Sequence, residues 1–111
     1  MKIYGLKNCD TCRRALKALK GAGHEVELID VRNGGIGAEE LERFYIVFGT
    51  DLLNRRSTTW RKLSQEEQQE KPVKLMLDYP ALMKRPVIMQ ESGLLTLGWG
   101  KTEQKLWGIE T

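Results

Sequence analysis

The only two cysteines of this chain stand at positions 9 and 12, after a short β-prone run and at the head of an amphipathic helix. This placement constrains the fold more than any other feature. Residues 2–6 read as a strand, and Lys7-Asn8 as the polar turn that follows it. Helical spacing then runs over residues 10–22. Ala15, Ala18, Leu19 and Ala22 share one face, while Arg13, Arg14, Lys17 and Lys20 stay in water. Gly21 and Gly23 end the helix, since glycine accepts the left-handed backbone found there. Residues 26–29 form a second strand, with Val26 and Leu28 alternating against Glu25 and Glu27. Two strands flanking one helix predict a right-handed parallel crossover.

The far end of the chain adds two strands, residues 87–90 and 94–97. The short Glu91-Ser92-Gly93 link makes them an antiparallel hairpin. A last helix is expected over residues 102–109, with Leu106, Trp107 and Ile109 as its apolar side chains. Between the two β-containing ends the pattern is helical. Asn33-Gly34-Gly35 marks a loop. Residues 39–48 place Leu41, Phe44, Tyr45 and Phe48 on one face, with Gly49 as the stop. Ser64 and Glu67 form a capping box opening a helix through Gln69. Pro72 reads as a connector, and residues 74–83 as a helical turn or two broken at Pro80. The expected class is α/β: a thioredoxin-like fold with a mixed four-stranded sheet and a helical insertion over about residues 36–84. At 111 residues the chain is expected to be a single domain.

Composition narrows the function classes. Hydrophobic residues make up 41% and charged residues 30%, an ordinary globular balance. The net charge of +3 bears on solubility and does not by itself imply nucleic acid. No run approaches the roughly 20 apolar residues of a membrane span, and the opening lacks the apolar stretch of a secretory signal. The expected compartment is the cytoplasm, where thiols stay reduced and a cysteine pair is redox-active or metal-binding rather than a structural staple.

In Cys9-Asp10-Thr11-Cys12 the two-residue gap puts both thiols on one helical turn, near enough for a disulfide. The unpaired N–H groups and partial positive charge of a helix N-terminus stabilise a thiolate. Cys9, at the cap, is the expected nucleophile; Cys12, inside the first turn, is the resolving thiol. Zinc is the competing ligand. One CxxC supplies two of the usual four donors and His24 stands at the far end of the helix, so redox chemistry is favoured. His24 is expected to be exposed, and Trp60, Trp99 and Trp107 to pack in or beside the core.

Arg55, Arg56, Arg61 and Lys62 surround Ser57-Thr58-Thr59-Trp60. Guanidinium groups bind carboxylates and oxyanions as a fork, so this cluster suits an anionic substrate; a solvated basic loop is the plain alternative. One tryptophan among four basic residues is a weak nucleic-acid signal, and neither nucleic acid nor membrane is expected as a partner. Arg85-Pro86 opens the third strand. An X-Pro bond is cis or trans at modest cost, and spacing leaves both open.

Four blocks, Asn8-Cys9-Asp10-Thr11-Cys12-Arg13-Arg14-Ala15, Leu53-Asn54-Arg55-Arg56-Ser57-Thr58-Thr59-Trp60-Arg61-Lys62-Leu63, Lys84-Arg85-Pro86-Val87 and Leu97-Gly98-Trp99, resemble the ArsC/Spx family of glutaredoxin-linked arsenate reductases and their relatives. The likeness covers essentially the whole chain and is nearest to the small bacterial YffB-like branch. It implies a thioredoxin-like fold with a helical insertion and a nucleophile at Cys9. It also implies a cis peptide at Arg85-Pro86 and a middle-block arginine at Arg56 with Arg55 beside it. On that basis Cys9, Cys12, Arg56 and Arg85 are the expected catalytic residues, and Asn8, Arg55 and Pro86 line the substrate site. Arsenate reductases of this kind use three arginines. The third falls on or near Gly98, and no arginine follows Arg85 in this chain.

The resemblance therefore implies a thiol-dependent reductase, with glutathione as co-substrate, glutathione or another small thiol or disulfide as partner, glutaredoxin as a redox partner, and no bound cofactor. The alternative is a redox-sensing transcriptional regulator that binds RNA polymerase, as Spx does through a CxxC switch. Arsenate reduction proper ranks third.

Overall fold

A computed structural model describes residues 1–32 and 34–109; Asn33, the first residue of the expected loop signal, lies outside the described residues. The chain divides into two compact units, one of Met1–Asp30 with the segment from Arg85 onward, the other of Val31–Lys84.

The first unit holds the sheet. Its strands are β1 (Lys2–Gly5), β2 (Glu27–Asp30), β3 (Val87–Met89) and β4 (Leu95–Leu97), in the order β2-β1-β3-β4. β1 runs parallel to β2, with Ile3 opposite Leu28, and antiparallel to β3, with Ile3 opposite Ile88. β3 and β4 are antiparallel, as a short hairpin requires. The chain therefore has the expected α/β class and mixed four-stranded sheet. Helix α1 (Asp10–Gly21) is the β1–β2 crossover. Its apolar stripe meets one face of the sheet, where Ile3, Ala15, Leu19, Ile88 and Trp107 form a buried cluster. Fully burying an aliphatic side chain contributes about 1.5–3 kcal/mol, so this cluster anchors α1 against β1 and β3.

The last helix is shorter than its apolar pattern predicts. It covers Lys101–Leu106, and Gly108 at φ +81° leaves the helix just beyond. Trp107 is its cap residue, buried with its indole N–H donating to Thr96 Oγ1 at 2.9 Å. Trp99 and Trp60 are half-buried, as expected. His24 is a correction: it is half-buried rather than exposed, with Nε2 3.0 Å from the Trp107 carbonyl oxygen. That partner lies 83 residues away and is invisible to local pattern.

The second unit is helical. It contains α2 (Ala38–Phe48), α3 (Thr58–Lys62), α4 (Gln65–Gln68) and α5 (Pro72–Asp78), with single 3₁₀ turns at Gly49–Leu52 and Pro80–Leu82. Leu41 and Phe44 of α2 are buried, with Leu75 and Met76 of α5. The Ser64 capping box is present: Glu67 N–H donates to Ser64 Oγ at 3.1 Å and Ser64 N–H to Glu67 Oε1 at 3.0 Å. Pro72 is not a connector but the first residue of α5, where its missing N–H costs nothing. No helix of the described residues is long and apolar enough to cross a membrane.

Candidate functional site

The site is built at the β1–α1 junction. After Gly5 the chain turns, and Leu6 carbonyl accepts the Cys9 N–H at 3.1 Å. Cys9 then has extended backbone angles (φ −90°, ψ 120°) and is the N-cap of α1; its carbonyl accepts the first helical bond, from Arg13 N–H, at 3.0 Å. Asn8 is exposed in the turn, Cys9 is half-buried, and Cys12 is fully buried one helical turn later. Both cysteines are free thiols.

Gly5 is a site residue that pattern reading passed over. A Cβ built there would collide with Cys12 Sγ and come within 4.0 Å of Arg85 Cβ. Only glycine lets α1 bring its second thiol this close to β1. The available sequence signal is a glycine near the end of the first strand, just before the cysteine turn.

The two thiols differ in electrostatics. Burial pushes Cys9 up, but the Cys12 backbone N–H, the Cys12 thiol, and the hydrogen bond and charge of the Arg85 guanidinium together outweigh it. Cys9 is left below its ordinary value of 9.0. Its sulfur makes no full capping hydrogen bond, so the stabilisation comes from donors gathered around it rather than from one short contact. Cys12 moves the other way, to about 11. Its burial dominates, and the neighbouring Cys9 sulfur, by hydrogen bond and charge, adds to it; the Leu6 backbone and Arg85 only partly offset these.

Arg85 is half-buried and Pro86 buried. The Arg85–Pro86 bond is cis, the isomer that the family resemblance implies. Pro86 carbonyl accepts the Gly98 N–H at 2.9 Å, which places Gly98, at φ +90°, beside the proline. Cys9, Cys12, Arg85 and Pro86 thus come together in the first unit.

Arg55 and Arg56 belong to the second unit, in the exposed turn before α3. The basic side chains are exposed, but residues 58–62 are helical rather than an irregular loop. Ser57 caps a short helix, its Oγ accepting Trp60 N–H at 3.1 Å and donating to Asn54 carbonyl at 3.0 Å. Asn54 Oδ1 accepts Arg56 N–H at 3.1 Å, and the Arg55 guanidinium stands 5.8 Å from the Trp60 ring centre. The arginine pair therefore sits on an ordered turn. Among the described residues, no three His, Cys, Asp or Glu side chains are grouped so as to hold a metal ion.

Comparison with known proteins agrees with this architecture. The ArsC family model matches residues 4–105. An uncharacterized protein of Haemophilus influenzae is 37% identical over 106 residues, covering 91% of this chain and 92% of its own. The solved structure of a YffB protein superposes with a TM-score of 0.84 at 30% identity, covering 95% of this chain and 96% of that one. An arsenate reductase (ArsC) related protein from Brucella melitensis gives a TM-score of 0.71 at 33% identity, covering 96% of this chain and 92% of the other.

Proposed function

The chain belongs to the ArsC family, and from that premise we propose that it is a thiol-dependent reductase whose nucleophile is the Cys9 thiolate. One observation carries the reading: of two free thiols on one helical turn, Cys9 is the half-buried N-cap residue and Cys12 is fully buried, surroundings that lower the first thiol and raise the second. A nucleophile must be charged and reachable, whereas a resolving thiol must stay protonated and shielded until it is needed.

The steps balance with a disulfide substrate. Cys9 thiolate attacks one sulfur of the substrate disulfide, forming the Cys9–substrate mixed disulfide and releasing the other half as a thiolate that takes a proton from solvent. Cys12, on losing its proton, attacks Cys9 Sγ, closing the Cys9–Cys12 disulfide and expelling the second half. Two thiols of glutathione then reduce that disulfide and leave as glutathione disulfide, so the substrate gains the two electrons that glutathione loses. Glutaredoxin would serve the same reducing step. Arg85 stabilises the Cys9 thiolate. The family resemblance adds the exposed Arg56 and Arg55 as forks for substrate carboxylates.

Arsenate reduction is less well supported, because by the family resemblance a third arginine would fall on or near Gly98, and no arginine follows Arg85. The regulator reading needs the same Cys9–Cys12 disulfide without a substrate. Co-precipitation with RNA polymerase in one redox state only would favour it.

The mass of the protein after exposure to glutathione disulfide tests the proposal. The wild-type chain is expected to lose two hydrogens as its internal disulfide closes, and Cys12→Ser to retain one glutathione on Cys9. A Cys12→Ser protein that takes up no glutathione would remove glutathione from the scheme.

A further inference from the structure

The turn carrying Cys9 is gripped at one residue, through its two flanking peptides. Lys7 N–H donates to Asp30 Oδ2 at 3.1 Å, and Lys7 carbonyl accepts from Arg13 Nε at 2.8 Å. Asp30 is the last residue of β2, and Arg13 lies one turn into α1. The residue two positions before the nucleophile is thus held by its N–H from the neighbouring strand and by its carbonyl from the helix. Lys7 itself is exposed, so without these partners its peptide would exchange them for water. The Leu6 carbonyl, in the same planar peptide as the Lys7 N–H, holds Cys9 N–H. A shift of Lys7 therefore moves the Cys9 cap directly.

We propose that Asp30 and Arg13 are positioning residues, which clamp the Lys7 backbone by its N–H and its carbonyl and so fix the Cys9 sulfur against the donors of Cys12 and Arg85. This rests on the reading of Cys9 as nucleophile. The grip also explains why an acid stands at the end of β2, near a site that favours a thiolate. A carboxylate there raises a neighbouring thiol by its charge, yet as an acceptor for a backbone N–H it holds the turn in the geometry that lowers it.

Charge and clamp have opposite signs, and this makes the proposal testable. The other charged groups about the turn are Arg85, Lys7, Arg14 and Asp10, the last 4.0 Å from Arg13 Nη1, while Cys12 stays protonated up to about pH 11. By charge alone, Asp30→Ala and Asp30→Asn would both lower the pH at which Cys9 becomes reactive to iodoacetamide. The clamp predicts that Asp30→Ala raises it, while Asp30→Asn, whose amide oxygen still accepts the Lys7 N–H, does not. Arg13→Lys keeps the charge but not the Nε–H, and is expected to raise it as well.

Thiol–disulfide kcat/KM should fall by about 10-fold to 100-fold in Asp30→Ala, the scale for misplacing a reacting group by an ångström, with near-normal rates in Asp30→Asn. A downward or absent shift in Asp30→Ala, or an upward shift shared by Asp30→Asn, would overturn the clamp. A general loss of stability would lower the melting temperature without moving the Cys9 profile. The alkylation profile does not depend on turnover. If Cys9→Ser kept full reductase activity, the functional reading would fail while the clamp remained separately measurable.

Discussion

Cys9→Ser is expected to lower thiol–disulfide turnover by about 10⁴-fold or more, to the uncatalysed background. Two quantities set this size. A serine hydroxyl is a far weaker nucleophile than a thiolate at neutral pH. The remaining thiol, Cys12, is fully buried and titrates at about 11, so at pH 7 only about one molecule in 10⁴ carries it as a thiolate. Cys12 cannot take over the first step. The assay is reduction of a small disulfide coupled to glutathione consumption, with the variant's fold checked by its melting temperature. Turnover within a few-fold of wild type would reject Cys9 as nucleophile.

The second large effect is expected at Arg85. Its guanidinium supplies both a hydrogen bond and a positive charge to the Cys9 sulfur. Arg85→Leu should raise the pH at which Cys9 ionises and lower kcat/KM by about 10²-fold, the usual cost of removing one preorganised donor from a developing or resident anion. Arg85→Lys keeps the charge without the planar fork and should fall between the two. Linkage fixes the sign of the stability change. Because the folded state lowers the Cys9 value, ionisation stabilises the fold above the ordinary 9.0 and that contribution is lost as pH falls through the lowered value. In Arg85→Leu this alkaline stabilisation should shrink. A variant with an unchanged Cys9 profile would show that Arg85 does not act on the thiol.

What could be read in advance follows from the range of the interactions. The β-α-β and β-β-α ends announced themselves through alternation, helical spacing and the glycines that close α1, and these fix the mixed sheet. The CxxC placed its own thiols, because spacing within one helical turn needs no tertiary knowledge. Residues that act at a distance gave no such signal. Arg85 lies 73 positions beyond Cys12; the proline after it marks the start of a strand, but only the family resemblance gives its side chain a catalytic role. Asp30 reaches the cysteine turn from 23 residues away, and Gly5 matters only because α1 folds back against it. The short helix before Leu63 leaves no sequence signal for a different reason. A helix of five residues has too little periodicity to detect, and its cap, Ser57, sits among polar residues that equally suit a loop.

The central claim is the division of labour between two thiols three residues apart. It is tested most directly by alkylating the reduced wild-type protein across a pH series and quantifying each cysteine by peptide mass. The account predicts that Cys9 reacts first, with its inflection below 9.0, and that Cys12 stays protected until the pH nears about 11. Equal inflections at both cysteines, or a Cys12 that reacts at the lower pH, would contradict it.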